Sequence, residues 1–374
     1  MPLKAGIISL DINTEDLNHG AMLHSWAFQT YLRTRLGIAS EIIDYVTPRA
    51  FGTDLSRPVW CHLKNGKFKP ALVAALGAAA YSRRFEKFRD FIRRDFVVSP
   101  RKYSLESLSA ASLDYDLLFC ESDVIWDPVF FQGKLDPAFF LALPSMQSAR
   151  RIAYSPSMGN MEVSPDAERQ LESLLGHLDA ISCRETYAAD YISGRFGKNA
   201  AAVVDPVLLL EGKDFLPITA PRLVREPYLF YYTPVGYDLK LNREAARFAA
   251  SNGLRLVEVS RYSWNSLFHR TVSDAGIEEF LSLLLHADAV FTNSFHGLCF
   301  SLLFHKPFYA FPRKTGRKIE DICRRVGLPE RFLAHGFHPL PPVDWDAVDR
   351  RIDSLRKASE TWLADAIGPM ENAR

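Results

Sequence analysis

The chain has 374 residues, with 45 Lys and Arg against 44 Asp and Glu and a net charge of +1. That balance gives no whole-molecule argument for attraction to nucleic acid or to an anionic membrane, and the length exceeds one ordinary domain, so two are expected. Hydrophobic residues at 48% against 24% charged are enough for two soluble cores. Five widely spaced cysteines without a Cys-x-x-Cys pair argue for buried thiols in a reducing compartment, with neither disulfides nor a zinc site.

Lys4 to Leu10 predicts a first strand, too short in its apolar run for a signal-peptide core. The loop Asn18-His19-Gly20 leads to a helix over Ala21 to Leu36, with Leu23, Ala27, Tyr31 and Leu32 at helical spacing, then a strand over Ser40 to Tyr45. Pro70 to Tyr81 is apolar and alanine-rich but falls short of the ~20 residues that span a bilayer. The expected location is the cytoplasm, and the inner face of the membrane if the protein touches lipid. Ser82 to Phe96 predicts an amphipathic helix with Phe85, Phe88, Ile92 and Phe96 on one side and six basic residues. It reads either as a packed helix with a solvated basic face or as a peripheral contact with an anionic membrane.

A short helix at Leu105 to Ser109 precedes strands at Asp116 to Cys120 and Arg151 to Tyr154. Then come a helix at Leu171 to Leu178, a strand at Ala180 to Cys183, a helix at Thr186 to Gly194 and a strand at Ala201 to Val204. Glu211 to Pro227 has linker composition, with Gly212, Pro217, Pro221 and Pro227. The pattern restarts with strand Tyr228 to Tyr232, helix Asn242 to Asn252, strand Arg255 to Val259, helix Gly276 to His286 and strand Ala289 to Phe291. Strand Phe308 to Phe311, helix Arg317 to Arg325 and a terminal helix Asp344 to Ala366 complete it. Strands alternating with helices predict α/β architecture: two doubly wound Rossmann-like domains facing a cleft. The divisions are residues 1–210 for the first domain, 211–227 for a linker, 228–340 for the second domain and 341–374 for a C-terminal helix able to return to the first.

No Gly-x-Gly-x-x-Gly, Walker A, His-Glu-x-x-His or Gly-x-Ser-x-Gly sequence occurs, which removes the commonest nucleotide, zinc-protease and serine-hydrolase readings. The richest stretch is Asp288 to Phe304. A strand there runs through Asn293, Ser294, His296 and Gly297 straight into an apolar helix, whose N-terminus is a ready anion site with a titratable histidine beside it. Asn18, Asp123, Ser155 and Arg184 also stand at strand carboxyl ends, which face one cleft in this architecture. Arg184 offers a planar fork for carboxylate or phosphate. Asp123 and Trp126, in Glu121 to Pro128, suit a sugar, or Trp126 backs the loop from the core. Arg313 to Arg317 is cationic and brings Lys314 to the anion site or to solvent.

The order of these segments resembles the polysaccharide pyruvyl transferase family. The similarity rests on Asn18 to Leu23, Gln29 to Leu32 and Glu41 to Tyr45, then Ser122 to Pro128, Ala153 to Gly159 and Ser182 to Glu185. Val204 to Leu209, Ala287 to Gly297 and Lys306 to Phe308 complete it. His19 stands where the family more often has tyrosine, and Glu121 and Val124 replace its more usual glycine and glutamine. The resemblance implies a fold like the GT-B glycosyltransferases and transfer of pyruvate from phosphoenolpyruvate, a co-substrate, onto two hydroxyls of a sugar or lipid-linked oligosaccharide. It implies no metal and no other cofactor. His296 is then the general acid or phosphate ligand and Arg184 the donor clamp. Asn293, Ser294, the Gly297 amide, Ser155, Asn18 and Lys314 fall on the donor side, with Asp123, Trp126 and His19 on the acceptor side. A nucleotide-sugar glycosyltransferase and a non-catalytic exopolysaccharide assembly partner are the rival readings.

Overall fold

A computed structural model describes residues 3–10, 12–13, 17–48, 50, 58–64, 66, 68–234, 239–260, 269–312 and 317–369. The first half runs β1 (Lys4–Ile8), α1 (His19–Arg35), β2 (Ala39–Ile42), α2 (Pro58–Lys64), α3 (Phe68–Leu76), α4 (Ala78–Asp95) and α5 (Leu105–Ser109). It continues with β3 (Leu117–Glu121), β4 (Arg150–Tyr154), α6 (Pro165–Leu175), β5 (Ala180–Cys183), α7 (Thr186–Phe196) and β6 (Ala200–Ala202). The second half runs β7 (Tyr228–Tyr232), α8 (Leu239–Ser251), β8 (Arg255–Val259), β9 (Arg270–Val272), α9 (Ile277–Leu285), β10 (Ala289–Thr292), α10 (Phe295–Leu303), β11 (Phe308–Ala310), α11 (Arg317–Arg325) and α12 (Trp345–Ile367).

Both sheets are wholly parallel, in the orders β2-β1-β3-β4-β5-β6 and β11-β10-β7-β8-β9. This is the two-sheet, doubly wound, GT-B-like architecture expected. In each sheet the strand order reverses once, between β1 and β3 and between β7 and β10. Parallel sheets bind ligands outside their carboxyl ends at such reversals.

Strand periodicity explains how the halves join. Ile7, Leu117, Phe119, Phe230, Tyr232, Val257 and Val290 share one continuous core with α1, α9, α10 and α12. Their neighbours on the opposite faces, Ile8, Leu118 and Cys120, fill a second core, and Leu229, Tyr231 and Phe291 a third. Successive strand residues point to opposite faces, so each sheet gives one face to a core shared between the halves. The stretch read as linker is part of that joint: Gly212–Ile218 is a 3-10 turn whose buried Phe215 packs on Trp26 and Phe300.

Two readings need correction. The loop drawn through His19 and Gly20 is the first turn of α1, because the Asn18 side chain caps the helix by accepting from the Gly20 amide at 3.0 Å. The basic face of α4 is occupied by protein. Arg83 pairs with Asp274, Lys87 with Glu279 and Arg94 with Glu278 across the domain joint, Arg84 donates to the Leu17 carbonyl, and Arg89 and Arg93 pair with Glu86 and Asp90 within the helix. That leaves it little charge for a membrane. Among the described residues no helix is long and apolar enough to cross a bilayer.

Candidate active site

Asn18 and Ser294 each cap a helix, and those two helices meet. On the second domain β10 ends in Thr292, whose hydroxyl donates to the Tyr232 carbonyl at 2.7 Å and accepts from the Ser294 amide at 3.0 Å. Ser294 Oγ accepts from the Gly297 amide at 3.3 Å and starts α10. Gly297 is required there, since a Cβ would lie 2.6 Å from Thr292 Oγ1. On the first domain Gly20 lies against the His296 ring, where a Cβ would come 2.1 Å from Nδ1. The positive ends of α1 and α10 thus converge at the two strand-order reversals.

Asp205, just after β6, ties the cluster together. Its Oδ2 accepts from Ser122 Oγ at 2.8 Å and from Arg184 Nη1 at 3.0 Å, and its Oδ1 accepts from the Val207 amide at 3.1 Å. His296 Nε2 is 3.4 Å from the same Oδ2 but makes no aligned hydrogen bond to it. Arg184 Nε donates to Glu185, which also accepts from Ser157, and the guanidinium lies 4.3 Å from the Phe295 ring centroid. His24 stacks on His296 with ring centroids 5.5 Å apart, and its Nδ1 lies 3.0 and 3.1 Å from the two Glu121 oxygens. Ser25 donates to Glu121 at 2.5 Å.

The charges sort by environment. Burial disfavours a charged His24, but the Glu121 carboxylate outweighs it and pushes the imidazole up to about 9. For His296 burial prevails over Asp205, helped by His24 and Arg184, so its affinity for a proton falls below the ordinary histidine value. Near neutral pH His24 therefore carries the proton and His296 does not. Burial raises the Asp205 and Asp123 carboxyls, yet the groups around them that carry positive charge in the acid range where carboxyls titrate hold both below the usual values. These are His296, Arg184 and His24 for Asp205, and His24, Lys318, Arg184 and His296 for Asp123. Arg184 stays charged against burial because Glu185, Asp205 and Asp123 surround it.

The β3 and β4 loops are held in unusual backbone conformations: Ser122, Asp123 and Ser155 have φ of 47°, 48° and 61°. Left-handed non-glycine residues are costly and concentrate at functional sites. Among the described residues, the buried atoms His24 Nε2, Ser155 Oγ, Arg184 Nη2, Glu185 Oε2, Asn293 Oδ1 and His296 Nε2 have no hydrogen-bond partner. Leaving one such group unpaired costs ~1–3 kcal/mol. They are groups that a polar ligand would satisfy.

His296, Arg184 and Asp123 are brought together by the fold, with Ser155, Asn293 and Ser294 at the adjoining strand ends. Lys314 lies outside the described residues. Three expectations are corrected. The Gly297 amide is spent capping α10 and offers no donor. Trp126 is fully buried, donates to the Phe139 carbonyl and stacks on Phe140, so no face remains for a sugar and the ring backs its loop from the core. His19 is also fully buried. Its Nε2 bonds the Ala275 carbonyl at 3.0 Å, Tyr232 approaches its Nδ1 and Phe280 stacks on it at 4.6 Å, which makes it a domain-joint residue. Asp123 lies in the field of His24, Lys318, Arg184 and His296. His24, Asp205 and Lys318 escaped the sequence reading as site residues. The departure at Glu121 was the available signal for His24, since an acid ending a buried strand needs a buried partner.

A model of the family described as polysaccharide pyruvyl transferase matches residues 18–315. The chain belongs to the polysaccharide pyruvyl transferase family. No curated relative matches the sequence. Among solved structures, one described as a UDP-N-acetylglucosamine 2-epimerase from Listeria monocytogenes is similar, with a TM-score of 0.51 and 10% identity over 100% of this chain and 92% of that one. The E. coli heptosyltransferase WaaC with ADP gives 0.42 and 12% identity over 94% of this chain and 100% of that one. At such identities the likeness is one of fold, and the second score is too low to carry an argument.

Proposed function

We propose that this pyruvyl transferase moves the pyruvyl group of phosphoenolpyruvate onto two hydroxyls of a sugar in a polysaccharide or lipid-linked precursor, closing a cyclic ketal. The observation that carries the reading is the meeting of His296 and Arg184 between the starts of α1 and α10, with Arg184 Nη2 and His296 Nε2 lacking a hydrogen-bond partner among the described residues. Phosphoenolpyruvate brings a carboxylate and a phosphate, and this corner supplies a guanidinium, two helix starts and a protonated His24.

Protonation at C3 of the donor makes C2 electrophilic. One sugar hydroxyl adds there and loses its proton, the C2–O bond to phosphate breaks, and the second hydroxyl adds and loses its proton. One proton has then gone to C3, and the other leaves with inorganic phosphate. His296 is the group placed to give the first proton. The negative charge of the bound donor would reverse the burial that lowers its basicity, with charged His24 stacked behind it. Asp123, held as a carboxylate, would accept from a sugar hydroxyl.

Thermal unfolding with phosphoenolpyruvate, inorganic phosphate or a nucleotide sugar tests the donor. The midpoint should rise with phosphoenolpyruvate, by ~2.7 kcal/mol of stabilisation at a hundred times the dissociation constant. Protection by the nucleotide sugar alone would favour a glycosyltransferase. Mass and linkage of the product formed from lipid-linked oligosaccharides test the ketal.

A further inference from the structure

The α2–α3 hairpin, apart from the residues of the candidate active site, carries an apolar surface. Phe68, Leu72 and Leu76 recur at intervals of four, one stripe of α3, and are 74%, 64% and 66% exposed, whereas Ala71 between them is buried. Trp60 and Leu63, one turn apart on α2, are 63% and 42% exposed. Exposed apolar residues scattered singly are ordinary, but five large ones on adjoining helices mark a surface meant to be covered.

The surrounding charge says what covers it. From Leu55 to Ser82 the sequence holds Arg57, Lys64, Lys67 and Lys69 and no Asp or Glu, in a chain whose net charge is only +1. Tryptophan, leucine and phenylalanine flanked by cations alone form the pattern of an element lying in a lipid interface, with ring and aliphatic groups below the headgroups and ammonium groups at the phosphates. A second copy of this chain fits worse, because a two-fold contact would set the cations against themselves. Directly after the hairpin, α4 is fixed to the second domain through Arg83–Asp274 and Lys87–Glu279.

We propose that the α2–α3 hairpin seats the protein on an anionic lipid bilayer, with Trp60, Leu63, Phe68, Leu72 and Leu76 entering the interface. Because α4 follows the hairpin and is tied to the second domain through Arg83–Asp274 and Lys87–Glu279 and to the first through Arg84 and the Leu17 carbonyl, this seating would bring the active site near the membrane, where a lipid-linked acceptor would lie. The surface does not depend on the identity of the donor.

Flotation of the full-length protein with vesicles tests this. One vesicle set is phosphatidylcholine alone and the other also contains phosphatidylglycerol. The protein should float with the anionic vesicles. The triple variant Leu63→Ser, Phe68→Ser, Leu72→Ser should lower the partition ~10-fold or more, with an unchanged unfolding midpoint and unchanged turnover on a water-soluble acceptor. Lys64→Glu and high salt should each weaken it. Failure to float, equal partition by the triple variant, or equal binding to both vesicle sets would overturn the proposal. So would a concentration-dependent dimer that the triple substitution abolishes, which would assign the face to a second copy.

Discussion

His296 stacks on His24 but makes no aligned hydrogen bond among the described residues: those to the Asp205 carboxylate come from Ser122, Arg184 and the Val207 amide. Its removal should therefore spare the fold and strike the reaction. His296→Ala is expected to lower turnover by ~10²–10⁴, the usual worth of a general acid, with little change in the unfolding midpoint. Retention of near wild-type turnover would move the acid role elsewhere. Arg184→Lys should behave differently. An ammonium cannot meet both Asp205 and Glu185 as the fork does, and leaving buried charges unpaired costs ~3–5 kcal/mol. Both midpoint and turnover should fall. The His24–Glu121 pair has its own signature in pH. His24 is raised to about 9 from an ordinary 6.5, so the pair stabilises fully below pH 6.5 and the stabilisation is lost as pH rises through 9. Each unit of such separation is worth ~1.4 kcal/mol. Unfolding midpoints followed from pH 6.5 to 9.5 should decline in the native protein and flatten in Glu121→Gln. An unchanged slope in that variant would show that another group titrates.

At the scale of elements, the active site is an encounter between two helix starts, and only one of them was legible. The turn from Asn293 to Gly297 announced itself by a strand, a serine cap and a helix in immediate succession. The start of α1 did not, because His19-Gly20 reads as loop chemistry until the Asn18 cap and the burial of both residues are seen. Strands that are mostly apolar, such as Tyr228–Tyr232 and Ala180–Cys183, were placed to the residue. The three-residue Arg270–Val272 was missed because it is half-polar and lies at a sheet edge. The two readings of Trp126 stayed open in the sequence because an aromatic residue beside a carboxylate looks the same whether the ring points at a sugar or into a core. The Gly20–His296 contact gives this scale its test. Gly20→Ala puts a methyl where the His296 ring lies, and overpacking of this kind costs ~1–3 kcal/mol. It should lower the midpoint and the turnover together. Adding His296→Ala should restore most of the midpoint, since the room is then available, without restoring turnover. Strictly additive losses in the double variant would mean that the helices are not in contact in solution.

Across the whole molecule, the last helix determines how the first domain presents its central carboxylate. The start of α12 belongs to the second domain: His305 pairs with Asp349 at 2.9 Å and stacks on Trp345. Its end lies on the first domain, where Trp362 approaches Tyr154, Arg356 donates to the Leu208 carbonyl at 2.8 Å, and Leu363 and Ile367 are buried. Between these ends the buried Ser359 hydroxyl accepts from the Val204 amide at 2.9 Å while donating to the Leu355 carbonyl at 2.8 Å. Val204 precedes Asp205. Its carbonyl is held by the Tyr154 hydroxyl at 3.0 Å, and the Val203 carbonyl by Arg325 at 3.2 Å. The backbone that aims Asp205 at Arg184 and His296 is thus fixed from three directions, two of them supplied by the C-terminal part of the chain. Ser359→Ala leaves the Val204 amide buried and unpaired, a loss of ~1–3 kcal/mol, and frees Asp205 to drift. The variant is expected to unfold at lower temperature and to lose turnover although the hydroxyl touches no reacting group. Ser359→Thr, which keeps the hydroxyl, should recover much of both. If Ser359→Ala lowered the midpoint but left turnover untouched, α12 would be a support for the fold without a hold on Asp205.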